Sequence, residues 1–246
     1  MGRRIIQQKR GKGSPTYRVR KAAYSVKPHY PSKECFGEVI KLINIAGHSA
    51  PLALIKTNQG TFFNMAVKGL EIGQKISVGK NAELKNGNIL ALSEIPVGSQ
   101  ICNIELIPFD GGKMVRTSGC SAVLVRKDEK YAYVLMPSKK EKAFKIEARA
   151  TLGTIAGEGR TEKPFVKAGK KWHLMKARNK LYPRTSPIKM NVVDHPFGGG
   201  RGKNMGKSGI APRWAPPGRK VGLISCLLYT SPSPRDLSTS RMPSSA

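Results

Sequence analysis

The sequence predicts an all-β protein: two small barrels with long basic N- and C-terminal extensions. Short apolar runs rich in β-branched residues recur from residue 35 to residue 155, separated by glycine and asparagine turns. Only a short piece around 170–180 has the pattern of a helix. Residues 1–33 have too few apolar side chains to bury a core, and residues 181–225 form a second extension, basic and rich in glycine and proline.

The first group of strands lies in residues 34–109. Residues 57–60 read TNQG and predict a hairpin turn in which Gly60 supplies a positive φ. The predicted strands of this group are 36–45, 51–56, 61–67, 75–78, 88–95 and 100–107. Such a series of short strands fits a small Greek-key barrel of the oligonucleotide-binding type.

The second group follows the joint DGG at residues 110–112 and extends to residue 180. In the segment 130–136, Tyr131, Tyr133 and Leu135 fall on one face and their neighbours on the other, which is the alternation of a strand. The predicted strands of this group are 122–126, 130–136, 143–147 and 151–155. Their number and length indicate an SH3-like barrel.

The charge of the chain is concentrated at its ends. The formal net charge is +29, and residues 1–33 contain ten Lys/Arg without any Asp/Glu. Residues 151–225 carry +13, whereas the longer segment 34–150 carries only +5. This asymmetry is typical of nucleic-acid binding. A membrane is not predicted as the partner, because no stretch approaches ~18 consecutive apolar residues and the N-terminus lacks a secretory apolar core.

The cysteines and most histidines do not predict a metal site or any other cofactor. Four cysteines are scattered along the chain without a Cys-x-x-Cys pair, and they are predicted to be free thiols in a reducing compartment. They are Cys35, Cys102, Cys120 and Cys226. His29, His48 and His173 have no partner at ligand spacing and are interpreted as surface or packing residues.

Several aromatic residues lie among the charges, and the sequence leaves two roles open for most of them. Tyr17, Tyr24 and Tyr30 would either stack on bases or anchor the N-terminal extension to the folded domain. Trp172 would either stack on a base or pack against the second barrel, with packing slightly favoured. Trp214 lies beside Arg213 and is predicted to stack on RNA.

Residues 191–220 are the most informative stretch of the sequence. They hold seven Gly, four Pro and six Lys/Arg against the single acid Asp194, without an apolar period. A loop of this length is usually functional or disordered, and this composition predicts that a polyanion gives the segment its shape. The triple glycine at 198–200 would let a phosphate backbone approach the main chain. It is not a P-loop, because no GK[ST] follows.

Asp194-His195 is the only pair that resembles catalytic machinery. No Gly-x-Ser-x-Gly nucleophile accompanies it, and acids are too scarce across 151–225 for a nuclease that needs several carboxylates. We therefore predict that the chain is not an enzyme, that Asp194 holds His195 and caps a turn, and that His195 contacts RNA.

Three strings identify a family resemblance. They read GEGRTEKPFVKAG at 157–169, VDHPFGGG at 193–200 and APPGRKVG at 215–222. Together they resemble the universal L-two family of large-subunit ribosomal proteins. The opening MGRRI, the joint at 108–113 and Phe197 in place of a second histidine are similar to its archaeal and eukaryotic branch. The resemblance runs in order from residue 1 to about residue 224.

The resemblance implies an oligonucleotide-binding-like barrel followed by an SH3-like barrel, with both termini threaded into large-subunit ribosomal RNA. It implies a cytoplasmic, ribosomal structural protein that supports assembly around the peptidyl transferase centre and subunit association. The partners it implies are ribosomal RNA, neighbouring ribosomal proteins and the small subunit. The alternatives are a free translation factor or RNA chaperone and, least favoured, an RNA-cleaving enzyme using His195.

The predicted RNA-binding residues share positive charge, glycine flexibility or an aromatic face. In the N-terminal part they are Arg3, Arg4, Lys9, Arg10, Lys12, Arg18, Arg20 and Lys21. In the middle they are Arg160, Lys163, Lys167, Lys170, Lys171, Lys176 and Arg178. In the C-terminal extension they are His195, Gly198, Gly199, Gly200, Arg201, Lys203, Arg213, Trp214, Arg219 and Lys220.

Residues 226–246 depart from the pattern of the family. They contain eleven Ser, Thr or Pro among 21 residues, and Arg235 and Arg241 are the only bases. The family would continue with a short Arg/Lys-rich end. We therefore expect this tail to be non-native, disordered and without function.

Overall fold

The computed structural model describes residues 2–80 and 82–224. The chain divides into two compact units, which we call the sheet unit and the loop unit. The sheet unit is Val19–Tyr182, and the loop unit combines Met1–Arg18 with Pro183–Ala246. The prediction for the tail 226–246, and that for Cys226, lie outside the described residues.

The sheet unit is built from ten strands, and the all-β prediction is confirmed. The strands are β1 Cys35–Ile43, β2 Leu52–Thr57, β3 Gly60–Met65, β4 Lys75–Val78, β5 Ile89–Ala91, β6 Gln100–Cys102, β7 Ala122–Lys127, β8 Tyr131–Leu135, β9 Glu141–Lys145 and β10 Arg149–Leu152. They form one sheet in the order β3-β2-β1-β4-β5-β10-β6-β7-β8-β9. Neighbouring strands are antiparallel except β4 and β5, which share one parallel pair, Val78 with Ile89.

Every predicted strand overlaps an observed one, but several ends differ. The bounds of β4 are those predicted, whereas β5 and β6 are shorter than the apolar runs that predicted them. The chain leaves β6 at Asn103, whose φ is +48°, and it leaves β10 at Gly153, whose φ is +104°. Both angles lie outside the extended region, so the strands end there although the sequence remains apolar.

Apolar burial explains why these segments become strands. In β8, Ala132 and Val134 are fully buried while Tyr131 and Leu135 stay exposed, as the alternation predicted. Three buried clusters form the core of the unit, centred on Ile101, Ile55 and Leu52. Cys102 belongs to the third cluster, and burial raises the pKa of its thiol to about 12, so it acts as a small apolar side chain.

A buried polar cluster ties residues 30–31 to the sheet. Tyr30 is 4% exposed, and its hydroxyl donates to the Asn103 carbonyl at 2.5 Å and lies 2.7 Å from Thr151 Oγ1. The Arg149 guanidinium donates to the Pro31 carbonyl at 2.6 Å and to Glu105 Oε1 at 2.7 Å. Of the two roles open for Tyr30, anchoring is therefore the one observed. Tyr24 remains 41% exposed, with its ring 5.4 Å from that of His48.

Two α-helices are present among the described residues. In the sheet unit, α2 (Ala168–Ala177) confirms the predicted helix and begins two residues earlier. In the loop unit, α1 (Ile6–Gly11) was not predicted, because its sequence IQQKRG has no amphipathic pattern. Neither helix has the length and apolar character that a membrane span requires.

Candidate nucleic-acid interface

The described part of the loop unit has almost no apolar core. Among residues 2–18 and 183–224, the buried side chains are Ile5, His195 and Phe197, at 8–9% exposure. The secondary structure of these residues consists of turns, the α-helix Ile6–Gly11, two 3-10 helices (Pro15–Tyr17 and Pro187–Lys189) and a single bridge between Ile210 and Leu223. The order of this unit therefore depends on main-chain hydrogen bonds and tight turns, not on packed apolar layers.

The centre of the loop unit is the turn that contains His195 and Phe197. The amide N–H groups of Asp194 and His195 both donate to the Asn191 carbonyl, at 3.0 and 3.3 Å. The Phe197 amide donates to His195 Nδ1 at 3.1 Å, and the two ring centroids are 5.3 Å apart. Burial lowers the pKa of the His195 imidazole. The ring is consequently neutral near pH 7, with Nδ1 occupied and the proton on Nε2.

Two glycines make this turn possible because the main chain passes too closely for a side chain. A Cβ at Gly198 would overlap the carbonyl oxygens of Met190 and Asn191. At Gly222, where φ is +95°, a Cβ would overlap the Gly209 carbonyl and lie 3.0 Å from the Phe197 ring. At Gly198 the missing side chain is therefore required by the protein's own main chain. The phosphate contact of the triple glycine stays a prediction.

A basic cleft of about 500 Å³ opens beside this turn. The Arg3 amide donates to the Val193 carbonyl at 2.8 Å, which holds the N-terminal segment against residues 192–196. The cleft is lined by Gly2, Arg3, Arg4, Ile5, Gln8, Val192, Val193, His195, Pro196, Pro217, Gly218 and Arg219. Three arginines and the neutral His195 thus converge on one concave surface without a lining carboxylate, which suits an anion with hydrogen-bond acceptors.

Asp194 has a different role from the one predicted. Its carboxylate lies 3.8 Å from Arg3 Nη1; the Arg3 side chain is largely exposed and that of Asp194 is about half-buried. The bond that fixes the His195 ring comes from the Phe197 amide, so the expectation that Asp194 holds His195 is wrong. The sequence could not distinguish the two partners, because a main-chain donor two residues away leaves no signature in residue types.

Trp214 is the most exposed aromatic side chain among the described residues, at 90%. The Arg213 guanidinium lies 6.0 Å from its ring centroid, and the Arg213 carbonyl accepts a 3.4 Å hydrogen bond from Lys220 Nζ. An aromatic face that the protein leaves uncovered between cations is a platform on which a nucleobase can stack.

In the sheet unit, the predicted basic residues of the middle group cluster on and around α2. The helix contains no acid and buries no side chain, and Lys163, Lys167 and Lys170 are exposed next to it or within it. Lys176 Nζ lies 4.4 Å from the Trp172 ring centroid, and Trp172 stays 38% exposed. Helix α2 therefore presents cations and an aromatic face to solvent and not a packed apolar stripe.

The structure brings only some of the predicted residues together. Arg3, Arg4, His195 and Arg219 share the cleft, whereas Arg20 and Lys21 belong to the sheet unit. The exposed remainder of the loop unit, which does not line the cleft, is Lys9, Arg10, Lys12, Arg18, Gly199, Gly200, Arg201, Lys203, Arg213, Trp214 and Lys220. Lys171, by contrast, has its Nζ 5.2 Å from the Tyr182 ring, and Arg178 is half-buried after α2.

Arg160 differs from the other predicted cations because it has a structural partner. Its Nε donates to Ser118 Oγ at 2.9 Å, and the Ser118 amide donates to Ser49 Oγ at 3.1 Å. Sequence reasoning missed these partners, and it also missed Gln8, whose Oε1 accepts from the Ile5 amide at 3.2 Å while its side chain lines the cleft. Their residue types are common on any surface, so no pattern marks them.

The chain was compared with known proteins. The model of the family described as "Ribosomal Proteins L2, C-terminal domain" matches residues 85–215. A Large ribosomal subunit protein uL2 from Methanococcoides burtonii is 48% identical over 230 residues, covering 92% of this chain and 97% of the relative. The proteins of that name from Archaeoglobus fulgidus and Halorubrum lacusprofundi are 44% and 46% identical and cover the same share of this chain, and 97% and 96% of their own.

Proposed function

Because the chain belongs to the L2 family of ribosomal proteins, with archaeal relatives along most of its length, we propose that it is a structural constituent of the large ribosomal subunit, in the cytoplasm. The relatives carry the name of a large-subunit protein, and the net charge of +29 calls for a polyanionic partner. That partner is large-subunit ribosomal RNA.

The observation that carries this proposal is the loop unit, which combines a basic cleft with nearly no core. Ordering each residue of a chain costs roughly 1–2 kcal/mol, and three buried side chains do not offset that cost over the described part of the unit. A partner must supply the difference. Since the cleft presents Arg3, Arg4 and Arg219, the partner is an RNA backbone that folds the unit as it binds.

The RNA contacts fall into two classes. Arginines and lysines of the cleft, of the extensions and of α2 neutralise phosphates, and they fix position more than sequence. Trp214 and Trp172 stack on unpaired bases or riboses, and His195 Nε2 donates a hydrogen bond to an RNA acceptor from the cleft. Gly199 and Gly200 are exposed and let the phosphate backbone approach the main chain.

In this proposal the sheet unit serves as the rigid base of the two RNA-binding extensions, residues 1–33 and 181–225. We assign residues 34–109 to an oligonucleotide-binding-like barrel and residues 110–180 to an SH3-like barrel. The strand order supports two lobes, because β1–β4 lie at one end of the sheet and β6–β9 at the other.

Membership of the family supports a proposed position in the ribosome. The extensions reach ribosomal RNA around the peptidyl transferase centre and support its assembly, and the protein takes part in association with the small subunit and with neighbouring ribosomal proteins. It performs no reaction itself. In the described residues His195 has its Nδ1 bonded to an amide and no Ser or Cys nucleophile lines its cleft, which supports a structural role.

The test is the salt dependence of binding to a fragment of large-subunit RNA. We expect the affinity of the intact chain to fall steeply with salt, with a log–log slope of roughly −0.7 to −0.9 per phosphate neutralised. Changing Arg3, Arg4 and Arg219 together to Gln should make that slope shallower by about two to three.

The matched control changes Lys130, Lys140 and Lys145 to Gln, which removes the same charge from exposed positions of the sheet unit outside the predicted set. If the salt slope became shallower by the same amount in both variants, only the total charge would matter, and the assignment of the cleft to RNA binding would be overturned. Sedimentation tests membership of the subunit: absence from the large-subunit peak after a salt wash would favour a free translation factor or RNA chaperone.

A further inference from the structure

The loop that follows β6 presents three apolar side chains to solvent. Leu106 is 43% exposed, Ile107 is 60% exposed and Phe109 is 69% exposed. The φ of Phe109 is +66°, in the left-handed region that favours glycine and disfavours residues with a bulky side chain. Backbone strain of this kind persists only where the surroundings impose it, and it concentrates at functional sites.

A fully buried carboxylate imposes this conformation. Glu105 accepts the Phe109 amide at 3.1 Å and the Gly111 amide at 3.0 Å, while the Arg149 guanidinium pairs with it at 2.7 Å. The Asp110 carboxylate accepts the amides of Leu106 and Ile107 at 3.3 Å each. The loop therefore holds Phe109 outward in one fixed arrangement, which lowers the entropic cost of binding a partner there.

An apolar cleft of about 540 Å³ lies beside Phe109, within the sheet unit. Its lining includes Val78, Ala91 and Ile146, and the Arg149 guanidinium lies 4.9 Å from the Phe109 ring centroid. Clefts of roughly 300–1,000 Å³ can enclose a drug-sized ligand, and a single large side chain is smaller than that. The cleft therefore has both the size and the chemistry to receive apolar side chains from outside.

The charges around this cleft distinguish it from the rest of the chain. Glu34 and Glu147 line it together with Lys80, and the charge of Arg149 is already compensated by Glu105. Two further charges lie next to the lining: Glu94, the neighbour of Ser93, and Lys127, whose Nζ donates to the Ser93 carbonyl at 2.7 Å. Three acids against two uncompensated bases leave a net charge of −1 in a chain whose total is +29. Burial, and after it repulsion from Glu34, raises the pKa of the Glu94 carboxyl, which places these two acids close to each other. RNA phosphates are repelled from such a surface, whereas cationic side chains are attracted.

We propose that this cleft, the Phe109 cleft, docks an extended cationic segment of another protein. An apolar side chain of that segment enters beside Phe109 and Ile146, and its flanking Lys or Arg side chains pair with Glu34 and Glu147. The inference goes beyond RNA binding, which gives no role to an acidic apolar surface. It rests on the proposed function only for the setting, the assembled large subunit, in which the partner is met.

The experiment places a photoreactive side chain at the cleft in assembled large subunits. Phe109→p-benzoylphenylalanine keeps an aromatic side chain on the same L-backbone, so it demands no φ that Phe109 does not already adopt. We expect a protein adduct whose crosslinked peptide has more Lys/Arg than Asp/Glu around an apolar residue. An adduct with RNA, an adduct with an acidic peptide, or no adduct would overturn the proposal.

The same label at Trp214 is the matched control, and there the proposed function predicts an RNA adduct. Failure at Trp214 with a protein adduct at Phe109 would refute the RNA assignment alone, and the opposite result would refute the docking proposal alone. In the labelled protein, Glu34→Gln with Glu147→Gln should reduce the adduct yield roughly two- to tenfold, since each removes one exposed ion pair. An unchanged yield would overturn the cationic nature of the partner.

Discussion

The sheet unit contains three buried apolar clusters, whereas the described part of the loop unit buries only Ile5, His195 and Phe197. The two units also differ in their ion pairs. In the sheet unit, Glu105 and Arg149 form a buried pair at 2.7 Å. In the loop unit, Arg3 and Asp194 lie 3.8 Å apart and remain accessible to solvent. The difference teaches that the sheet unit can fold by burying its own apolar side chains. The loop unit has too small a core for that, and in the proposed function it takes its shape from RNA.

Amide hydrogen exchange of the free chain should show the largest contrast between the two units. Amides of β7 and β8 should be protected up to the global free energy of unfolding, typically about 5–15 kcal/mol, and those of 191–199 should be nearly unprotected. Binding of large-subunit RNA should add protection to 191–199. Strong protection of residues 191–199 in the free chain would show that the loop unit, like the sheet unit, folds without RNA.

Within the first 33 residues the same measurement should find a boundary. Residues 2–18 should exchange rapidly, whereas the amide of His29, which donates to the Phe63 carbonyl at 3.0 Å next to buried Tyr30, should be protected. Uniformly fast exchange up to residue 33 would mean that the anchor at Tyr30 forms only on RNA.

Removing the buried carboxylate should have the next largest effect. Glu105→Ala leaves Arg149 without its counter-charge and two loop amides without an acceptor, so we expect a loss of about 3–5 kcal/mol in the free energy of unfolding. Urea denaturation measures it, with the exposed Glu129→Ala as the control. A loss no larger than that of the control would show that the pair is not integral to the sheet unit.

Gly198→Ala should weaken RNA binding without affecting the sheet unit. Its Cβ would overlap the Asn191 carbonyl, and an overpacked site typically costs about 1–3 kcal/mol, or roughly 5- to 150-fold in affinity. Gly206→Ala is the matched control in the same extension, because a Cβ there meets no atom within 4 Å. Equal affinity of the two variants would contradict the close approach at residue 198.

Two substitutions at His195 distinguish the role of Nδ1 in the turn from the role of Nε2 in RNA binding. The Oδ1 of Asn can replace Nδ1 as acceptor of the Phe197 amide, whereas the terminal amide of Gln can replace only Nε2. One hydrogen bond contributes about 0.5–1.5 kcal/mol, so His195→Gln should lose roughly two- to tenfold in RNA affinity and His195→Asn less. The reverse order would show that the Nε2 contact with RNA outweighs the turn.

The smallest expected effect is a dependence on pH. Since burial lowers the pKa of His195 below 6.5, the unfolded segment takes up its proton first as the pH falls. The RNA affinity should therefore be constant above about pH 6.5 and decrease below it, by less than about tenfold. His195→Asn should remove this part of the decrease. An affinity that rises on acidification would instead indicate a direct contact between a charged imidazolium and phosphate.

The sequence predicted more of the sheet unit than of the loop unit, for a physical reason. Strands such as β8 bury alternate residues, and that periodicity is written in the residue types. The strand order was not predictable in the same way, because which strands pair depends on contacts between distant segments. In the loop unit, composition and motif predicted the basic character, but the Phe197 amide as partner of His195 and the place of Gln8 in the cleft have no such pattern.

The place of β10 in the sheet governs when the protein can fold during its synthesis. Residues Arg149–Leu152 pair with β5 on one side and β6 on the other. These two pairings can form only after β10 has been synthesised, although β5 and β6 are synthesised earlier. Pairings between residues so distant in sequence make folding slow. Meanwhile the ten cations of residues 1–33 have already emerged, ahead of any folded domain to which they belong. The unfolded nascent chain then carries an exposed basic segment among cellular RNA. Pairing of its β-strands therefore competes with nonspecific binding of that segment to RNA.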